Sequence, residues 1–423
     1  MNEQLIKKSR RHAWFVVVAG FATFFMVFGA AINCPGMFMV PMSESLGVDR
    51  AVISSLFTIQ MLVAIPSGIV FGRITDKTDL KWPMAFCCFL VGLGFIAYGT
   101  ISNIYILYGA AVLIGIGVAG TVQIPVSVFI NGWFIEKKGT AMGLTMVGSG
   151  VGGSVLTQIV SRIIESSGWQ NAYIFLGAAT MIITIPLVIL FITKDPHRKG
   201  LIRYGEENLD KIMELQNNAL AEDLPNRSIS EIMKVPAFWY LFIGLTLLTL
   251  PMGAVKGHVV AYMTDLGYSP QIAANILTIT ILAVIPGKPL TGLFFDKFSA
   301  RFAAIVCGFG MGVGYLLLLG IPYALFFAIC FGVIYGFGSA FQSVGSPLCL
   351  KIVARTNTNF ATILSILTIG SNAAAAFGTT ILGAIRDNTG SYSIGFLIGG
   401  IVIIIGYIFV IVAVSAKKKG KEA

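Results

Sequence analysis

A lysine set deep in an apolar segment is the residue of this chain with the most chemistry to explain. Lys288 lies in the run ILAVIPGKPLTGLFF, eight residues before Asp296. At about 1.5 Å per helical residue that is roughly 12 Å from the polar boundary, close to the midplane of a hydrocarbon core about 30 Å thick. A charged group at that depth costs at least ~2.5 kcal/mol on insertion scales, which makes it a functional candidate by default. All 19 Asp and Glu fall in loops, tails or span ends, and one turn before Lys288 stands Val284. A buried cation calls for an anion, and the pattern points to a substrate that brings one. The competing reading is a lysine satisfied by backbone carbonyls and water.

Other polar residues in apolar surroundings are candidates for the same site. Gln123 and Gln342 offer amide groups in the fourth and tenth apolar stretches. Asn33 precedes Cys34-Pro35-Gly36, where a helix break frees backbone groups towards a cavity. Tyr335 is a candidate wall, although an aromatic at helical spacing is more often packing. Lys256 and His258 lie seven to nine residues from Asp265, so Lys256 can snorkel to a surface. If the pair faces a pathway, His258 supplies the one imidazole suited to proton exchange there.

The elements that must position these residues are membrane spans. With 56% hydrophobic and 11% charged residues in 423, the chain has too few polar groups to cover a water-soluble globule. At about 20 residues per crossing, the expected spans are 13–41, 51–72, 82–101, 104–130, 140–163, 172–193, 236–262, 270–294, 303–321, 323–349, 360–385 and 393–415. The first is longer than a secretory h-region and lacks a small-residue cleavage site, so it is read as retained. Of the 29 lysines and arginines, all but Arg50, Arg162, Arg386, Lys256 and Lys288 fall at the termini or in even-numbered loops. By the positive-inside rule both termini are cytoplasmic. The net charge of +10 is then an orientation signal, not a nucleic-acid surface.

The polar stretch from Lys194 divides the chain into a six-helix bundle at 1–193, a cytoplasmic linker at 194–235 with a short surface helix in EENLDKIMELQNN, and a second bundle with a basic tail at 236–423. The predicted fold is an all-α membrane protein of twelve transmembrane helices in two pseudo-symmetric six-helix halves. The six cysteines lack metal-ligand spacing and read as small packing residues. Gly148 to Gly153 satisfies G-x-G-x-x-G, but no strand precedes it, so helix packing is the better reading and no nucleotide site is expected.

The halves repeat each other. GRITDK, Gly72 to Lys77, returns as GLFFDK, Gly292 to Lys297, 220 positions later. Gly117 and Gln123 are matched here with Gly336 and Gln342, and Gly177 with Gly399. A repeat of this length built from spans is the pattern of a carrier made of two related bundles around a central site. Gly72, Asp76 and Lys77 resemble the signature loop of the major facilitator superfamily, G-x-x-x-D-[RK]-x-G-[RK]-[RK]. The match is partial: Asp79 stands for the usual Gly and Leu80 for a base, and in the second copy Ser299 and Ala300 depart likewise while Arg301 keeps the final base. Gly72, Asp76, Lys77, Gly292, Asp296, Lys297 and Arg301 are thus expected to act in conformational gating, each carboxylate holding loops by ion pairs or facing a helix N-terminus.

A narrower resemblance lies at the junction of spans 4 and 5. NGWFIEKKGTAMGLTMVGSGVGG, Asn131 to Gly153, is similar to the same junction of monocarboxylate transporters and oxalate/formate antiporters, as are Pro236-Ala237-Phe238-Trp239 and Lys288-Pro289 with Gly292. This resemblance implies a secondary or facilitative carrier of a small organic anion, a monocarboxylate by charge balance, working by antiport, uniport or proton-linked symport in a cell membrane. In those antiporters tyrosines occupy the positions of Asn33 and Gln123, and a second lysine stands near Ser371. Lys288 is expected to be the counter-charge, with Gln123, Gln342, Asn33 and Tyr335 around it. No cofactor, nucleotide or nucleic acid is implied, and a monomer suffices. The alternatives are a drug exporter of the same fold, which would need a mid-span acid, and a non-transporting sensor, which would be expected to lose the paired signature.

Overall fold

Hydrocarbon offers no hydrogen bonds, so a chain crossing it must satisfy its own backbone, and here it does so as helices. The computed structural model describes residues 3–48, 50–208, 227–268, 270–356 and 359–415. Ten helices are long and apolar enough to cross a membrane. One of them, Lys138–Phe191, has 54 residues, about 81 Å at 1.5 Å per residue, far more than a single crossing requires. It turns back at Gly168, whose φ of 86° is open to glycine at little cost, and so forms two spans. Phe360–Thr389 completes the set of twelve.

We label these α1 (Glu3–Asn33), α2 (Arg50–Lys77), α3 (Lys81–Thr100), α4 (Ile104–Trp133), α5 (138–167), α6 (169–191), α7 (Pro236–Asp265), α8 (Pro270–Lys297), α9 (Ala300–Leu316), α10 (Leu325–Ala354), α11 (Phe360–Thr389) and α12 (Ser393–Ser415). Among the described residues there is no strand, only a bridge between Phe134 and Tyr204. The expected surface helix in the linker falls largely outside the described residues. Its first three residues form a 3-10 turn, Glu206–Asn208, and a short helix, Ile229–Met233, follows later, opened by a Ser228/Glu231 capping box.

Four spans differ from the sequence expectation. The first begins at Glu3, ten residues before its apolar run, because the amphipathic turns of Lys7 to Arg11 pack alongside later segments. It then widens into a π-helix over Phe24–Asn33 and restarts as Pro35–Leu46 beyond Cys34. Proline at the first helical position suits that restart, since it has no N–H to leave unsatisfied. The fourth span breaks at 120–122 and resumes at Gln123. The fifth and sixth are separated by a turn rather than a loop.

The chain forms two compact units: 1–224 with 359–365, and 225–358 with 366–423. Within each, equivalent helices are neighbours. The pairs α2–α4 and α3–α4 of the first unit correspond to α8–α10 and α9–α10 of the second. Gly177 of α6 packs on Gly92 and Ile96 of α3, as Gly399 of α12 packs on Tyr315 of α9.

The contacts correct the repeat register in the fourth helix of each half. Gly117 faces Cys87 and Val91 of α3, and the residue that faces the corresponding Cys307 and Met311 of α9 is Gly338, not Gly336. Gly336 faces Thr280 of α8 as Gly115 faces Gln60 of α2. Counted from these contacts, Gln342 stands opposite Thr121, and Gln123 is not its repeat partner. Letters alone align the two helices two residues out of step with their contacts.

The Gly148 to Gly153 run packs against α1. A Cβ on Gly152 would collide with the Phe25 backbone, and one on Gly29 would meet Gly152. This is backbone-to-backbone contact of the kind that small residues permit. Gly152→Val is expected to lower thermal stability by about 1–3 kcal/mol through overpacking. Exposed Gly109, which has open space around its Cβ position, serves as the control; equal melting temperatures for valine at both positions would refute the packing account.

Candidate functional site

Lys288 sits on α8 between Gly287 and Pro289, and its side chain is 5% exposed. Two prolines, Pro286 and Pro289, lie inside this helix. Having no N–H, they leave the carbonyls of Leu282 and Ile285 without their i+4 donors. The helix is therefore polar on the backbone just where it is cationic on the side chain. A Cβ on Gly287 would touch Ala340 and Phe337, which fixes α8 closely on α10 at this level. The repeat extends to this point: AIPSGIVFGRITDK, Ala64 to Lys77, matches VIPGKPLTGLFFDK, Val284 to Lys297. Gly68 occupies the place of Lys288, so one half carries the charge and the other carries no side chain.

On α10, Gln342 is partly buried and donates from Nε2 to Ser371 Oγ on α11 at 3.2 Å. Its Oε1 is buried and has no hydrogen-bond partner among the described residues, a cost that an incoming ligand donor, or an exchange of roles with Ser371, would relieve. Ser371 was noticed in the sequence only as the place where related antiporters carry a lysine. Tyr335 is 4% exposed and stacks on Phe331 at 5.1 Å, with Tyr315 of α9 at 5.9 Å. It is wedged against Gly314 of α9, which makes it part of an aromatic packing cluster.

In the first unit Asn33 is exposed, and its Nδ2 donates to Ser149 O on α5 at 2.9 Å. The break at Cys34 and the π-helix before it are what carry this amide onto α5. Gln123 opens the second piece of α4, after Val122 with φ −111° and ψ −95°. Gln60 was missed by sequence reasoning. It is 3% exposed on α2 and donates to Ala31 O in the π-helix at 3.1 Å. A lone amide in an apolar span was its only signal.

On α7, His258 Nδ1 lies 3.3 Å from Tyr392 Oη, and Arg386 pairs with Asp265 at 3.2 Å near the same end. Lys256 is within the helix, but its side chain lies outside the described residues.

The signature loop is built tightly. Asp76 Oδ2 accepts from Thr362 Oγ1 at 2.9 Å and from Thr362 N at 3.4 Å, and Oδ1 accepts from Ala361 N at 3.4 Å. The carboxylate thus caps the first turn of α11, which belongs to the first unit. A Cβ on Gly72 would strike the backbone of Thr362, so this approach requires glycine. Lys194 Nζ donates to Thr75 O and Asp76 O at 2.8 and 3.0 Å, closing the C-terminus of α2. Burial holds the Lys194 ammonium below its usual range, against the Asp76 charge, which raises it.

The departures from the signature have work of their own. Asp79 accepts from Leu80 N at 2.8 Å, Lys194 N at 3.3 Å and Thr193 Oγ1 at 3.4 Å. Ser299 caps α9 by accepting from Phe302 N at 3.1 Å. Asp296 and Lys297 are exposed at the end of α8, as Lys77 is at the end of α2, Gly292 is buried, and Arg301 reaches Ser415 O at 3.4 Å. The Trp-Phe pair at the junction of α4 and α5 clamps the segment after α6: Trp133 Nε1 donates to Thr193 O at 2.8 Å, and Tyr204 N donates to Trp133 O at 2.8 Å.

This architecture has counterparts among known proteins. The family model of the Major Facilitator Superfamily matches residues 19–338 and 257–423. The chain is similar to an oxalate:formate antiporter of Oxalobacter formigenes, 25% identical over 405 residues, with 93% of this chain and 90% of the relative covered. It is also similar to monocarboxylate transporter 12-B of Danio rerio, 24% identical over 408 residues, covering 92% and 84% of the two chains. In three dimensions it resembles the proton:xylose symporter XylE, with a TM-score of 0.68 at 13% identity over 99% of this chain and 96% of that one.

Asp76→Ala removes the acceptor for two α11 amides. Loss of such a cap typically costs about 0.5–2 kcal/mol. The expected result is faster hydrogen exchange over 360–365 with no change in α9. Unchanged exchange over 360–365 would show that the cap does not hold that turn.

Proposed function

We propose that this chain, which belongs to the major facilitator superfamily, carries a small organic anion across a cell membrane by alternating access, with Lys288 as the counter-charge. The carrying observation is a lysine 5% exposed in the middle of a membrane-spanning helix. A cation kept there against its insertion cost is expected to serve binding. Both halves of the name "oxalate:formate antiporter" are carboxylates, and "monocarboxylate transporter" names the same class; these relatives support an anion. A single central cation balances one carboxylate better than two. Gln342, Gln123 and Asn33 are the proposed hydrogen-bonding partners, and the signature loops around Asp76 and Asp296 the proposed gating elements. The lysine and arginine bias supports a plasma-membrane orientation with both termini in the cytoplasm.

The proposal predicts that Lys288→Ala abolishes uptake of labelled monocarboxylate into proteoliposomes, while Lys288→Arg retains part of it. Normal uptake by the alanine variant at normal abundance would end the counter-charge reading. The protein in detergent should also be stabilised by carboxylates and not by lipophilic cations, by about 2.7 kcal/mol at a hundredfold excess over the dissociation constant. A rise in melting temperature with cations alone would reverse the substrate class.

A further inference from the structure

The end of the first unit where α1 begins and α6 finishes carries more positive charge than its carboxylates neutralise. Lys8 and Arg11 come from α1, Lys81 from the start of α3, and Arg198 and Lys199 from the 3-10 turn Pro196–Lys199 after α6. Lys199 is held by specific contacts, and Lys81 lies close enough to act on its charge, as Lys8 does on His12 and Arg198 on Lys194. Lys199 Nζ donates to Leu190 O at 3.0 Å and Phe191 O at 3.3 Å, and lies 3.4 Å from His12 Nε2. Phe15 stacks on Phe191 at 5.1 Å, which joins α1 to α6. Among the described residues, the ion pairs of this unit are Arg10 with Glu207 and His197 with Glu206, and neither uses any of the five. The nearby carboxylates are engaged by backbone N–H groups, Asp79 by those of Leu80 and Lys194 and Asp195 by that of His197. Burial, and after it the Lys81 charge, hold the Lys199 ammonium below its usual range, against the Asp79 charge, which raises it.

An apolar face runs away from the cluster. Trp82, Phe86, Phe89 and Leu93 are exposed along one side of α3, at the i, i+4, i+7, i+11 spacing of a single helix face. Trp82, 65% exposed with Lys81 Nζ 5.3 Å from its ring centroid, marks the junction of the two surfaces. Indoles favour the boundary between headgroups and hydrocarbon.

We propose that Lys8, Arg11, Lys81, Arg198 and Lys199 form a binding site for the phosphate of an anionic phospholipid whose acyl chains lie along the Trp82–Leu93 face of α3. Basic clusters at helix ends on one side of a membrane recognise such headgroups, and each charge near the surface contributes about 1 kcal/mol. The apolar stripe selects a lipid over a soluble phosphate, because a free anion would gain nothing from it. This site is separate from Lys288 and does not rest on the substrate reading.

Native mass spectrometry of the purified full-length protein, titrated with phosphatidylglycerol or phosphatidylcholine of identical chains, tests it. Phosphatidylglycerol should be retained preferentially, and less so as ionic strength rises. The double variant Lys81→Gln/Arg198→Gln should bind it roughly thirtyfold more weakly, with an unchanged lipid-free melting temperature, since neither side chain donates a hydrogen bond among the described residues. The charge-keeping variant Lys81→Arg/Arg198→Lys should bind as the parent does, which keeps the test sound should the glutamine pair misfold. Equal retention of the two lipids, undiminished phosphatidylglycerol binding by the glutamine variant, or displacement of the lipid by inorganic phosphate at equal concentration would overturn the proposal.

Discussion

The structure depends on one constraint: inside hydrocarbon, backbone groups and charges must be satisfied by the protein itself. Helices answer it for the backbone, and the distribution of charge answers it for the side chains. All 19 acids lie outside the middle of the spans. Against that background Lys288 stands out as a buried cation in the interior of α8. Its two flanking prolines open the carbonyl ladder at the same level. The repeat makes the asymmetry explicit, because Gly68 in the first half offers no side chain where the second half offers a cation.

Helices alone do not make a carrier; they must approach closely and still be interrupted where a site is needed. Small residues provide the approach, as where Gly29 meets Gly152 and Gly177 meets Gly92. The interruptions are local and have identifiable causes. The π-helix of α1 ends at Cys34-Pro35, α4 breaks before Gln123, and α8 carries its prolines. Each break lies beside a polar side chain, so backbone and side-chain polarity coincide.

The signature loop shows how a family pattern is kept by geometry when its letters change. Asp76 and Gly72 act together on the first turn of α11, glycine allowing the approach and the carboxylate accepting the amides. Asp79 replaces the expected glycine and ties the segment after α6, while Lys194 from that segment closes α2. In the second copy Ser299 takes up helix capping instead.

Sequence by itself determined the membrane class, the twelve spans, the two related halves and the position of Lys288 deep in an apolar span, because each rests on composition, hydrophobic length or charge along the chain, and these are properties of the chain before it folds. It also located the helix break after Asn33, through Cys-Pro-Gly. The tertiary structure alone decided what depends on distant segments meeting. It showed that Gly117 corresponds to Gly338, since register is defined by the partner helix and not by matching letters. It placed Tyr335 in an aromatic cluster, brought out Gln60, and paired Gln342 with Ser371. It gave Asp76 its partners nearly three hundred residues later in α11. Side-chain direction and long-range pairing arise only when helix faces pack, and an apolar helix buried on several sides carries little periodicity from which to read its faces.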